Sequence, residues 1–165
     1  MDPKQFIRRE LADNLEFIKM TLSDFSDADM FVRPCPGANH AAWQIGHLCN
    51  SETSMTSWAG AKVVALPANF GEMFNKKSAG IDEAKKFGDF ATKTALLGLF
   101  EKVRGATIAW FDGLEIADLD KPSPEKVRSW APTLAKMAIA QCGHVGMHVG
   151  QFQVIRRKLG KPIQF

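Results

Sequence analysis

Apolar residues recur along four segments of the chain at steps of three and four, the spacing that puts them on one face of a helix. The pattern predicts helices over residues 3 to about 26, 39 to about 58 or 60, 91 to 113, and 133 to 160. Asn39 is expected to cap the second helix, because asparagine is a preferred N-cap. No segment alternates as a strand would. We therefore predict an all-α fold, a four-helix bundle formed by a single domain over residues 1–165.

The long connection between the second and third helices, residues 61–89, is the least regular part of the chain. Long structureless loops are unusual in compact domains, so we expect short helical turns within it. One such turn would carry Phe70, Met73 and Phe74 at positions i, i+3 and i+4. These residues would fill the end of the bundle or, alternatively, roof a pocket.

The inward-facing positions of the fourth helix are apolar at both ends and polar in the middle. Steps of three and four from its start pass through Leu134, Met137, Gln141, His144, His148, Gln151, Ile155 and Lys158. Bundle helices normally present apolar residues at such positions. Residues four apart on a helix are one turn apart and about 40° around its axis, so both imidazoles can reach a common point. Burying the two imidazoles costs free energy unless their nitrogen atoms have partners, and a bound metal would be such a partner.

The second helix has a matching polar anomaly at His47. Its sequence from residue 39 to residue 61 contains a single formal charge, Glu52, which indicates a helix buried on most sides. His47 with His144 and His148 would give three nitrogen ligands and leave one coordination position open, as in catalytic zinc sites. Imidazole ligation suits zinc, nickel, copper or ferrous iron. The structural alternative is that the histidines satisfy one another or backbone carbonyls.

Residues that could assist the metal differ in how well their spacing suits the role. Gln141 and Gln151 are candidates to hold the second ring nitrogen of a ligand histidine, although they could equally mark a wet end of the bundle. Glu52 lies roughly 140° around the helix from His47, which leaves no evident general base. A metal would then have to activate water itself, or else stabilise a thiolate. The missing base favours the thiol.

The three cysteines and the fourth histidine, His40, are not assigned to the candidate metal site. Cys49 and Cys142 each lie two residues from a histidine, about 200° around the helix, so we interpret both as inert buried thiols. Cys35 lies in a connector without any activating neighbour. His40 is expected near the surface and is left out of the ligand set.

Composition narrows the function classes. Hydrophobic residues make up 45% of the chain and charged residues 24%, which is typical of a globular protein. Its basic residues are scattered, so we expect no nucleic-acid partner. No apolar run is as long as a membrane span, and the start does not resemble a signal peptide. Three cysteines do not suggest a disulfide framework, so we expect a cytoplasmic protein.

Two segments carry a family resemblance, WQIGHL at residues 43–48 and HVGMHVGQ at residues 144–151. They resemble the signature segments of the DinB/YfiT-like superfamily of metalloenzymes, and Arg156 and Pro162 fit the usual ending of that family. The resemblance implies a four-helix bundle that holds a divalent metal on His47, His144 and His148. Zinc or nickel is expected, with iron or manganese as alternatives.

Members of the family are often dimers, so the resemblance implies a homodimer. The charge-poor second helix and the aromatic residues Trp110 and Phe111 of the third helix, expected to be exposed, are candidates for its interface. Characterised relatives include thiol-dependent S-transferases and isomerases that use bacillithiol, mycothiol or glutathione. Our leading hypothesis is therefore a metal-dependent S-transferase acting on a small molecule. The alternatives are a metal-dependent hydrolase and a non-catalytic module that binds a metal or ligand.

Overall fold

Most of the chain is helical. The computed structural model describes residues 2–75, 77, 80 and 84–164. Its α-helices are α1 (Pro3–Thr21), α2 (Ala41–Trp58), α3 (Phe70–Met73), α4 (Lys93–Asp112), α5 (Glu125–Arg128) and α6 (Leu134–Lys158). Short 3-10 helices cover Asp29–Phe31, Ala84–Phe90 and Ile116–Asp118. The described residues form no β-strand, only an isolated bridge between Pro122 and Thr133. The predicted all-α class is confirmed.

The four long helices pack in a closed ring. Helix α1 lies against α4 and α6, and α2 lies against the same two helices. Each of these four helices therefore contacts at least two of the others. The largest cluster of core residues is shared by α1, α2, α4 and α6 and includes Ile18, Ile45, Phe100 and Phe152. None of the helices in the described part of the chain has both the length and the apolar character required to cross a membrane.

Helix α2 is buried by its own chain, which explains why it carries so little charge. It contacts α4, α6, α3 and the 3-10 helix Asp29–Phe31. Gly46 allows a close contact with the residue that follows α3, because a Cβ atom there would lie 2.2 Å from Cδ1 of Phe74. Phe70 and Phe74 belong to the core, so the predicted helical turn fills the bundle. The predicted crossover also includes residues 76, 78, 79 and 81–83, which lie outside the described residues.

The start of α2 corrects two sequence predictions, one about its N-cap and one about the burial of His40. His40, not Asn39, caps α2: its Nδ1 atom accepts a hydrogen bond from the backbone N–H of Trp43 at 3.0 Å. His40 is fully buried rather than near the surface, and its ring packs against Phe31 and Phe87. An imidazole nitrogen can cap a helix end as an asparagine oxygen does, which the usual cap preferences do not anticipate.

The third long helix offers no exposed aromatic face. In α4, Phe111 is fully buried and Trp110 is half-buried, and both pack in apolar clusters. The sequence had suggested these two rings as exposed candidates for a dimer interface, and the structure contradicts that suggestion. Their burial follows from the contacts of α4 with two neighbouring long helices.

Candidate metal centre

Three histidines from two helices converge inside the protein. His47 lies near the middle of α2, and His144 and His148 lie one turn apart on α6. Each can offer one ring nitrogen such that the three atoms lie within 4.8 Å of one another. The Nε2 atoms of His144 and His148 are 3.1 Å apart. The ring of His47 meets those of His144 and His148 edge-on, with centroids 5.2 and 5.7 Å away.

Gln44 fixes the ring of His148. The Oε1 atom of Gln44 lies 2.8 Å from Nδ1 of His148, while its Nε2 atom donates to the carbonyl oxygen of Asn39 at 2.7 Å. Because the amide nitrogen is committed to Asn39, the oxygen must accept from an Nδ1–H group. In its neutral form His148 therefore has a lone pair on Nε2, the atom that faces the other two histidines. A metal-ligating histidine is normally held in this way by an outer partner.

Trp43 orients the ring of His47. The two rings stack with centroids 4.9 Å apart and planes 6° from parallel. Trp43 is one turn earlier on α2 and is only 4% exposed, so the core holds it firmly. Its indole leaves the His47 imidazole little room to rotate away from α6.

Burial keeps the α6 histidines neutral. Burial, together with the neighbouring rings of His144 and His47, lowers the pKa of His148 to about 3. Burial, together with His47 and Arg104, lowers the pKa of His144 to about 4. Neutral imidazole is the form that ligates a metal, so at neutral pH neither His144 nor His148 has to lose a proton before it binds one.

The residues present fit a divalent metal. Metal–nitrogen bonds of 2.0–2.1 Å in a tetrahedral site place two ligand nitrogens about 3.4 Å apart, close to the 3.1 Å between His144 and His148. That distance alone would equally suit a hydrogen bond between the two rings, the structural alternative raised by the sequence. A hydrogen-bonded pair does not need a third imidazole edge-on to both rings. The position of His47 therefore favours a metal.

The two glutamines predicted to support the ligands differ in position. Gln141 is buried, but neither polar atom of its side chain has a hydrogen-bond partner among the described residues. Gln151 is exposed, and a hydrogen bond that its side chain accepts from His148 opposes the lowering of the His148 pKa. The well-aligned partner is Gln44, to which the sequence analysis gave no role. Its position three residues before His47, on the same helix face, was an available signal.

A cleft of about 700 Å³ opens beside the triad. His47 and His144 line it, together with Asn50, Ser51 and Ser54 of α2. The other walls come from the end of α2, from the segment around α5 and from α6. The described residues of the 61–89 crossover, whose predicted helical turn was the alternative roof of a pocket, contribute none to the lining.

Neither carboxylates nor thiols reach this cleft from the described residues. Glu52 points away from His47, as its spacing predicted, and its Oε2 atom lies 2.7 Å from the buried guanidinium of Arg104. Cys49 is fully buried, which raises its pKa well above the usual value. Cys142 is half-buried, and its pKa is raised by burial to about 11. Cys35 is exposed and is not part of the lining.

Comparison with known proteins identifies the family. The chain matches the model of the DinB superfamily over residues 11–152, so it belongs to that superfamily. A crystal structure described as that of a conserved protein from Enterococcus faecalis has a TM-score of 0.70 and covers 98% of this chain and 99% of its own, at 16% identity. That likeness shows a shared fold. No curated protein matches the chain. Family and triad together fit a metal-binding protein.

Proposed function

We propose that this member of the DinB superfamily holds a divalent metal on His47, His144 and His148 and transfers a low-molecular-weight thiol to an electrophilic substrate. The observation that carries the proposal is the junction of the triad with the cleft. His47 and His144 belong both to the cluster of candidate ligands and to the cleft wall. A molecule in the cleft would therefore lie next to the metal.

The absence of a carboxylate favours a thiol over water as the nucleophile. Among the described residues that line the cleft there is no aspartate or glutamate. The nearest glutamate in sequence to His47 on α2, Glu52, is committed to Arg104. Hydrolytic sites commonly place a general base beside the metal, and this one offers none among those residues. A thiol needs no such base, because coordination to a metal is enough to remove its proton.

The chain would contribute the positions of the ligand rings. Gln44 keeps the Nε2 lone pair of His148 directed at the site, and stacking on Trp43 fixes the plane of the His47 ring. When bound, the metal would supply the positive charge that stabilises a thiolate. The thiol proton would leave to solvent, the sulfur would form a bond to the electrophilic carbon, and the leaving group would depart with its electron pair. Zinc or nickel is the expected metal, with iron or manganese as alternatives.

A panel of thiols with a generic electrophile tests the proposal. Tag-free protein loaded with zinc or nickel would be assayed with 1-chloro-2,4-dinitrobenzene and bacillithiol, mycothiol or glutathione, by absorbance of the conjugate. We expect turnover with at least one thiol, abolished by chelation and by His148→Ala. The Lys136→Met variant, altered on the exposed first turn of α6, is the matched control.

Two outcomes would contradict the proposal. One is the absence of metal-dependent turnover with every thiol, accompanied by a His148→Ala variant that behaves like wild type. The other is hydrolysis of an ester or amide without added thiol, which would make the protein a metal-dependent hydrolase instead. Tight metal uptake without turnover would leave a metal-binding module.

A further inference from the structure

Large apolar side chains are exposed around the cleft beside the triad. Trp58 at the end of α2 is 42% exposed, Trp130 just after α5 is 52% exposed, and Met147 on α6 is 55% exposed. All three line the same cleft although they come from three separate parts of the chain. Small-molecule pockets are typically lined by aromatic and apolar groups with a few polar ones among them. This wall is therefore suited to the apolar body of a ligand.

One positive charge stands at this apolar wall. The Nζ atom of Lys126 lies 4.8 Å from the centre of the Trp58 ring, and Lys126 lines the cleft. Among the described lining residues, lysine and arginine are represented by Lys126 alone, and aspartate and glutamate are absent. The ammonium group therefore has no carboxylate partner within the cleft. An interaction with an exposed ring is weak and leaves the ammonium free to donate hydrogen bonds to an anion.

The remaining polar groups of the lining carry no charge. Asn50 and Ser51 lie about one turn after His47 on α2, and Ser54 lies about one turn further along the helix. Their amides and hydroxyls can orient polar atoms but cannot balance a charge. The cleft volume of about 700 Å³ lies well inside the range of about 300–1,000 Å³ that is typical of small-molecule sites.

We propose that the substrate of the cleft is a small carboxylate with an apolar or aromatic body, whose body packs on Trp58, Trp130 and Met147 and whose carboxylate pairs with Lys126. This identity rests on the proposed function, since it names the electrophilic substrate of the thiol transfer. A neutral molecule would leave the ammonium unpaired, and a cation would be repelled by it. The substrate class is therefore set by one lysine at the edge of an aromatic wall.

A matched pair of probes tests this assignment. Binding of 4-phenylbutanoate and of its neutral amide would be measured by ligand-observed NMR titration, on protein as purified and after loading with zinc. Lys126→Met keeps the aliphatic stem and removes the charge, and Lys136→Met is the control. We expect wild type and Lys136→Met to bind the acid more tightly than the amide, and Lys126→Met to lose about five-fold in affinity for the acid alone. The advantage of the acid should shrink in about 0.5 M salt, because exposed pairs are screened.

The aromatic wall is tested separately. Trp130→Leu alters a half-exposed ring, so the fold should be retained. The substitution should lower the affinity for the acid and the affinity for the amide to the same extent. The assignment is wrong if Lys126→Met binds the acid like wild type, or if affinity for the acid appears only with zinc and ignores Lys126, because the carboxylate would then bind the metal. Failure of the protein to take up metal would overturn the proposed function without changing the charge preference of the cleft.

Discussion

Removing the amide of Gln44 should lower the affinity of the triad for a metal without creating a cavity in the core. The change we consider is Gln44→Met, which keeps the length of the side chain and deletes both polar atoms. It removes the 2.8 Å contact with Nδ1 of His148 and the 2.7 Å hydrogen bond to the carbonyl oxygen of Asn39. Gln44 is only 1% exposed, so solvent cannot readily replace it.

Two magnitudes follow from this geometry. Loss of the outer partner of a ligand histidine typically lowers metal affinity by about 10- to 100-fold, or roughly 1.4–2.7 kcal/mol. The buried Nδ1–H group of His148 is also left without a partner, which costs roughly 1–3 kcal/mol in the free energy of unfolding. Both losses should appear together, because one hydrogen bond serves both purposes.

The assay is a zinc competition titration against a chromophoric chelator, with urea unfolding of the metal-free protein alongside. Gln153→Met is the matched control: Gln153 is a buried glutamine on α6, and its Nε2 atom has no hydrogen-bond partner among the described residues. We expect zinc affinity to fall in Gln44→Met and to stay at the wild-type level in Gln153→Met. If Gln44→Met lowers only the free energy of unfolding and leaves zinc affinity unchanged, Gln44 does not orient a ligand and our reasoning fails.

Two further predictions concern the packing around α2. Gly46→Ala would place a Cβ atom 2.2 Å from the Phe74 ring, so urea unfolding should show a free energy of unfolding lower by about 1–3 kcal/mol. The control is Gly105→Ala, which has nothing within 4 Å of the new Cβ and should raise the free energy of unfolding by up to about 1 kcal/mol through helix propensity. Equal effects of the two substitutions would contradict the close contact at Gly46. Arg104→Met leaves buried Glu52 without its 2.7 Å partner and should lower the free energy of unfolding by about 3–5 kcal/mol in the same assay. Adding Glu52→Gln should restore much of that loss, because it removes the unpaired charge. A double variant no more stable than Arg104→Met would argue against the ion pair.

Local patterns were enough to predict the four long helices and to single out the three histidines that converge in the structure. Helix class follows from apolar spacing, and the three histidines were visible as polar residues on otherwise apolar faces. Gln44 was within reach of the same reasoning, since it shares a face with His47. It was missed because the search for outer partners was confined to α6, where Gln141 and Gln151 flank the ligands.

The inner stripe of α6 shows where a simple spacing rule fails. At about 100° per residue, the step of three from His148 places Gln151 about 60° away around the helix axis, and Gln151 is exposed. The step of four places Phe152 about 40° to the other side of His148, and Phe152 is buried. Ile155 lies only about 20° from His148 and is buried as well, so the error arises at the single step to Gln151.

The cleft could not be predicted from the sequence, because its walls come together only in the tertiary fold. Trp58 ends α2, Lys126 and Trp130 lie in the connector before α6, and Met147 lies on α6. Nothing in the local sequence relates these segments to one another. From the sequence, the connector had no predicted role, and only a turn of the crossover was considered as the roof of a pocket.

Metal analysis of tag-free protein tests the central claim most directly. Wild type and His47→Ala would be purified without chelating resins, incubated with zinc or nickel, desalted and measured by inductively coupled plasma mass spectrometry. Because affinity depends on the full ligand set, we expect about one equivalent of metal in wild type and little in His47→Ala. Less than about one-tenth of an equivalent in wild type, or equal retention by both proteins, would contradict a metal centre on His47, His144 and His148.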